Sequence, residues 1–174
     1  QDEPRRTMRE ASGLDTDWME PVAATGGPWC FISEAVLIYL EADQAQQAIT
    51  QIANRFPEAW LLIDPTSQKM VAGQSTHDAM KHLPKTSWFR WACDDPKEIE
   101  NWGKLQLVQS RTFFDAGEEL MQYAPWSIRF FMRWLPWLIR RKVEGYRLNW
   151  FVVGSEKIDR LRFLSQNTEW ICRF

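Results

Sequence analysis

Glu34 is the one carboxylate inside an apolar run, Trp29-Cys30-Phe31-Ile32-Ser33-Glu34-Ala35-Val36-Leu37-Ile38-Tyr39-Leu40. A fully buried strand has no place for an unpaired charge. The run therefore reads as a strand ending near Ser33, with Glu34 at its carboxyl end and a turn beyond it. In open α/β sheets ligands bind outside the carboxyl ends of the strands. A carboxylate in that position suits a cationic ligand such as an ammonium group; a helix N-cap or a surface ion pair would be its structural uses.

The other ionisable residues point less directly to chemistry. Asp64 closes the run Trp60–Ile63 and would face the same crevice if the two strands are neighbours. The turn Asp64-Pro65-Thr66-Ser67 offers it a structural role instead, including the cap of a following helix, and that reading is preferred here. Asp94 and Asp95 are adjacent, but Asp95 before Pro96, with Glu98 three residues on, has the form of a helix start. His77 and His82 could each act as a general base. Five residues apart on a helix they share no face, and they read as surface residues. Cys30, Cys93 and Cys172 have no metal-ligand spacing, so no metal site is expected and no catalytic base can be named.

Elements to position these residues follow from pattern. Trp29–Ser33 reads as a strand. Ala45, Ala48, Ile49, Ile52, Ala53 and Phe56 recur at helical spacing across Glu41–Phe56, and Pro57 ends that helix. Trp60–Ile63 is a second strand, so strand, helix and strand form a parallel βαβ unit with a right-handed crossover expected. Thr25-Gly26-Gly27-Pro28 is a breaker, and Asp15–Val22 has room for one helical turn. Ser67–Leu83 is expected to be helical, Leu105–Phe114 a strand, Pro125–Lys142 a helix kinked or divided at Pro136, and Tyr146–Val153 a last strand.

The composition is that of an ordinary globular domain, 45% hydrophobic and 25% charged, and residues 1–174 are read as a single domain. A net charge of −2 gives no reason to expect nucleic acid. No stretch reaches the roughly 18 uninterrupted apolar residues of a membrane span, and Gln1–Glu10 are polar, unlike a signal peptide. Three cysteines, an odd and sparse set, suit a reducing, cytoplasmic location. The eleven tryptophans are the outlier; large apolar rings with one polar atom serve cores, clefts and interfaces alike.

Three segments in order resemble one family, the leucine carboxyl methyltransferases and tetracenomycin-type polyketide O-methyltransferases. Members carry a strand ending in Glu-Gly-Val-Leu-Met-Tyr-Leu or close variants; this chain reads Glu34-Ala35-Val36-Leu37-Ile38-Tyr39-Leu40. Downstream the match continues through Trp88-Phe89-Arg90-Trp91-Ala92-Cys93-Asp94-Asp95-Pro96-Lys97-Glu98-Ile99-Glu100-Asn101-Trp102. Upstream, Ala11-Ser12-Gly13-Leu14-Asp15-Thr16-Asp17-Trp18 resembles the segment before the strand, with Ser12-Gly13 where many members have Asp-Leu.

The resemblance implies S-adenosylmethionine-dependent O-methyl transfer to a carboxyl or hydroxyl group of a small-molecule acceptor. It implies an α/β fold, a Rossmann-like methyltransferase sheet of which this chain carries the carboxyl-terminal strands, with a helical lid insertion. Residues 66–104 and 116–145 would be the lid and acceptor-side segments. Glu34, Ser12 and Asp15 would contact the donor, and Tyr39, Trp88, Arg90 and Trp91 the acceptor side. The glycine-rich turn and the acidic residue that hold the donor in such folds have no counterpart here: Gly13, Gly26 and Gly27 stand in other contexts. The chain thus corresponds to the carboxyl-terminal half to two-thirds of an enzyme, is expected to be inactive or weakly active alone, and would need a homodimer partner or a complementing chain.

A reading of another class is a non-catalytic module that docks through 125–142, where Trp126, Phe130, Phe131, Trp134 and Trp137 stand among Arg129, Arg133, Arg140, Arg141 and Lys142. A lid or ordinary packing with snorkelling arginines is preferred to a membrane-surface role, so membrane contact is not expected.

Overall fold

The computed structural model describes residues 7–76, 80–112, 123, 125–134 and 146–154. Its centre is a four-stranded mixed sheet, so the chain is α/β. The elements in order are α1 (Met19–Ala23), β1 (Cys30–Ser33), α2 (Ala42–Arg55), β2 (Trp60–Ile63), α3 (Gln68–Gly73), β3 (Leu105–Thr112), α4 (Trp126–Trp134) and β4 (Arg147–Val153). Short 3₁₀ turns stand at Leu37–Tyr39, Gln74–Thr76, Lys85–Ser87 and Pro96–Trp102.

The spatial order is β1-β2-β4-β3. β1 and β2 are parallel, with Cys30 opposite Trp60 and Ser33 opposite Ile63. β4 enters antiparallel between β2 and β3, so β3 runs the same way as the first two strands. The carboxyl ends of β1, β2 and β3 and the start of β4 therefore share one edge of the sheet. A bulge at Val108 shifts the β3–β4 register between Leu107 and Gln109.

α2 forms because its apolar residues fall on one stripe. Ala45, Ala48, Ile49 and Ala53 are buried, and a reciprocal capping box between Glu41 and Gln44 satisfies its first turn. Pro57 has no N–H to extend the helix, which ends at Phe56. The buried stripe packs on Leu61, Ile63, Leu105, Leu107, Phe151 and Val153, with Trp91 and Ile99 in the same core. Phe56 is completely buried at the centre of an aromatic cluster, its ring 4.7 Å from Phe31, 5.3 Å from Trp29 and 6.2 Å from Trp18.

Two expectations are corrected. Ser67–Leu83 is not one helix: α3, capped by Ser67, ends at Gly73, and residues 80–83 are a turn. A 3₁₀ turn, Gln74–Thr76, follows α3 directly, and the buried Gln74 side chain bonds both the N–H and the carbonyl of Phe89, at 2.8 and 3.0 Å. The helix start at Asp95 is as expected: Asp95 accepts the Lys97 N–H at 3.0 Å with Pro96 following, and the helix it opens, Pro96–Trp102, is of the 3₁₀ form. His82 stands exposed in the turn after residue 80 and not on a helix, while His77 lies outside the described residues.

Within 116–145 only Tyr123 and 125–134 are described, and the kink expected at Pro136 lies outside them. In 66–104 the short helices are held by local bonds, among them Cys93 N–H to the Thr66 carbonyl at 2.9 Å. β1 is an edge strand, with Ile32 59% exposed and Cys30 exposed beside it.

Candidate functional site

The apolar strand β1 stops at Ser33 because the next two residues turn the chain. Ala35 has φ +51°, a left-handed conformation uncommon for a residue with a Cβ. Its N–H, which no strand pairs, donates to both carboxylate oxygens of Asp64 at 2.9 Å. Asp64 follows β2 directly and is only 3% exposed. Tyr146, immediately before β4, donates its hydroxyl to the same carboxylate. Asp64 thus joins the ends of β1 and β2 to the start of β4 at one edge of the sheet.

This corrects the preference for Asp64 as a turn or helix cap. Ser67 caps α3, accepting the Met70 N–H at 3.2 Å, and Asp64 ties the strand ends instead. Burial, the bond to Asp64, and the charges of Asp64 and Glu34 together push the Tyr146 hydroxyl well above the ordinary phenol range. Tyr146 is therefore a neutral donor at physiological pH.

Glu34 stands at the outer side of this knot, exposed. No hydrogen bond or ion pair engages its carboxylate among the described residues. Fixed by the Ala35–Asp64 bonds yet uncommitted, it is the group at this edge that can meet a ligand cation.

A polar row lies behind it. Ser33, Ile63, Asn149 and Ser110 are register partners across the four strands, on one face of the sheet. Ser33 Oγ, Asn149 Oδ1 and Ser110 Oγ are buried with no hydrogen-bond partner among the described residues. Asn149 is 1% exposed, and its Nδ2 donates to the Arg147 carbonyl at 3.3 Å. An unpaired polar atom at such depth is costly.

No protein-family model and no curated protein matches this chain. The geometry alone therefore carries the comparison with the sequence reading.

Of the residues expected on the donor side, Glu34 lies at the strand edge. Ser12 and Asp15 form their own exposed turn: Ser12 N–H donates to Asp15 Oδ2 at 3.2 Å and Leu14 N–H to Ser12 Oγ at 3.2 Å. No hydrogen bond joins that turn to Glu34 or Asp64 among the described residues.

Of the residues expected on the acceptor side, three come together. The Arg90 and Trp91 N–H groups both donate to the Ile38 carbonyl, at 2.8 and 3.2 Å, which docks this segment on the turn that follows Glu34. Tyr39 lies 5.5 Å from the Phe89 ring and is 41% exposed. The Arg90 guanidinium pairs with Glu41 at 3.2 Å. Trp91 is a core residue, 2% exposed and 5.8 Å from Trp102. Trp88, half-buried, donates its indole N–H to the Leu83 carbonyl at 3.2 Å.

Tyr146, Asn149, Ser33 and Ser110 were not singled out from sequence. Asn149 had a signal, an amide inside the apolar run Leu148–Val153 at an inward position. Among the described residues, no group of three His, Cys, Asp or Glu side chains could hold a metal ion.

Proposed function

We propose that this chain is the carboxyl-terminal part of an S-adenosylmethionine-dependent O-methyltransferase, with Glu34 directed at the ammonium group of the donor's methionine part. The observation that carries the reading is the left-handed Ala35 after Glu34. Members of the family of resemblance have glycine at that position, the residue that takes such a conformation without strain. The motif and the backbone therefore agree at one residue.

Two further observations support it. Glu34 is an uncommitted carboxylate at the carboxyl edge of a parallel strand pair, where α/β sheets take their ligands. The mixed α/β sheet, with β1 and β2 parallel, is compatible with the α/β fold that the resemblance implies. A fold alone does not fix an activity, which is why the Ala35 turn and not the sheet carries the proposal.

When bound, the donor supplies an electrophilic methyl group on a sulfonium. Transfer then requires acceptor oxygen, methyl carbon and leaving sulfur in line. Asp64 and Tyr146 would hold the Glu34–Ala35 turn, and Tyr39 and Arg90, on the segments that follow, would lie toward the acceptor. Strands bearing the rest of the donor site would pair with the free edge of β1.

Calorimetric titration with S-adenosylhomocysteine, after measurement of the mass in solution, tests the reading. Micromolar binding weakened tenfold or more by Glu34→Ala is the expected result, in this chain or in an assembly that completes β1. Binding unchanged by Glu34→Ala would remove Glu34 from the site, and no binding by a folded, completed assembly would overturn the proposal.

A further inference from the structure

α4 presents an aromatic stripe to solvent. Trp126, Phe130 and Trp134 are four residues apart and so lie on one side of the helix; they are 81%, 52% and 67% exposed. The rings of Phe130 and Trp134 are 6.4 Å apart, which makes the stripe continuous at that end. Tyr123, just before the helix, is 81% exposed as well. Large exposed aromatic groups in a row mark a surface that meets something.

The charge says what. Residues 125–142 contain Arg129, Arg133, Arg140, Arg141 and Lys142 and no acidic residue, in a chain of net charge −2. Arg129 is exposed on the same helix as the aromatic stripe. A short helix with tryptophan and phenylalanine on one side, amid cations alone, has the composition of a segment that lies in the headgroup layer of a membrane. Tryptophan favours that layer because its ring is apolar and its N–H is polar. No helix among the described residues is long and apolar enough to cross a membrane. At nine residues α4 spans about 13 Å, which suits lying on the surface.

We propose that α4 docks this protein on anionic lipid surfaces, with Trp126, Phe130 and Trp134 entering the interface and Arg129 meeting the headgroups. The inference makes no use of Glu34, so it stands whether or not the methyltransferase reading does.

Co-sedimentation of the full chain with vesicles tests it. Binding to phosphatidylcholine vesicles containing one-third phosphatidylserine is expected, with affinity falling at least tenfold on pure phosphatidylcholine and again at high salt. Trp126→Ser with Trp134→Ser, both at exposed positions, should keep the circular dichroism spectrum and abolish sedimentation. Arg129→Glu should weaken it by about tenfold. Absence of binding to anionic vesicles by the folded chain would overturn the proposal, as would binding that the double variant retains. A self-associated chain that becomes monomeric in the double variant without binding vesicles would overturn it in favour of a second copy on this face.

Discussion

Tyr146 donates its hydroxyl to the buried carboxylate of Asp64, so the start of β4 is fastened to the end of β2 by a single charged acceptor. The same carboxylate holds the Ala35 N–H at 2.9 Å. The edge that carries Glu34 is thereby rigid without using Glu34.

Tyr146→Phe should destabilise the fold by about 1–2 kcal/mol, the scale of a partly buried hydrogen bond to a charged group. The pH dependence has a definite sign. The folded state raises the pKa of this phenol above its ordinary value of 10.0. The contribution of Tyr146 is therefore complete below about pH 10 and is lost as pH rises beyond it. Melting temperatures of the two proteins between pH 8 and 12 should converge at the alkaline end. A constant difference would show that the hydroxyl is not bonded as described.

Ala35→Gly should stabilise the protein by up to about 1 kcal/mol. A left-handed alanine costs about 1–2 kcal/mol, and the greater freedom of glycine in the unfolded chain offsets part of the gain. Ala35 is exposed, so its methyl group gives up no core packing. Urea denaturation measures the change, and a loss of stability would mean that the turn does not require φ +51°.

Phe56→Ala should cost about 3–5 kcal/mol, because the ring is completely buried and contacts Trp18, Trp29 and Phe31. Chemical denaturation followed by near-ultraviolet circular dichroism reads both the stability and the loss of aromatic order. A cost below about 1 kcal/mol would place the ring outside the core.

Cys93 should resist alkylation. Burial first, then the charges of Glu98, Asp95 and Asp94, push its thiol up to about 11, against a small opposing bond to the Asp95 carbonyl. Only the thiolate attacks iodoacetamide. At pH 8 peptide mapping should find Cys30, exposed on the edge strand, modified well before Cys93. Equal rates would show that Cys93 is open to solvent.

What could be read from the sequence was local. β2 follows from four apolar residues closed by Asp64-Pro65, and α2 from the recurrence of Ala45, Ala48, Ile49 and Ala53. Glu34 stood out because a charge interrupts an apolar run. The role of Asp64 could not be read, because its partners lie 29 and 82 positions away and nothing in a turn sequence announces a distant acceptor. Trp91 looked like a site residue beside Arg90, yet the two carbonyl bonds at Ile38 turn its ring inward. The bonds of Gln74 were hidden for a similar reason: it holds the backbone of Phe89, which it meets only in the folded chain.

The position of β4 has a consequence for assembly. It is the last described strand in sequence, yet it lies inside the sheet, between β2 and β3. As the chain emerges during synthesis, β3 has no neighbour and β2 has only β1. Residues 147–153 must arrive before either gains an inner partner, and Tyr146 reaches Asp64 only then. A ribosome-bound chain stopped before residue 146 would hold an open apolar slot where β4 belongs, and would call on chaperones until β4 closed it.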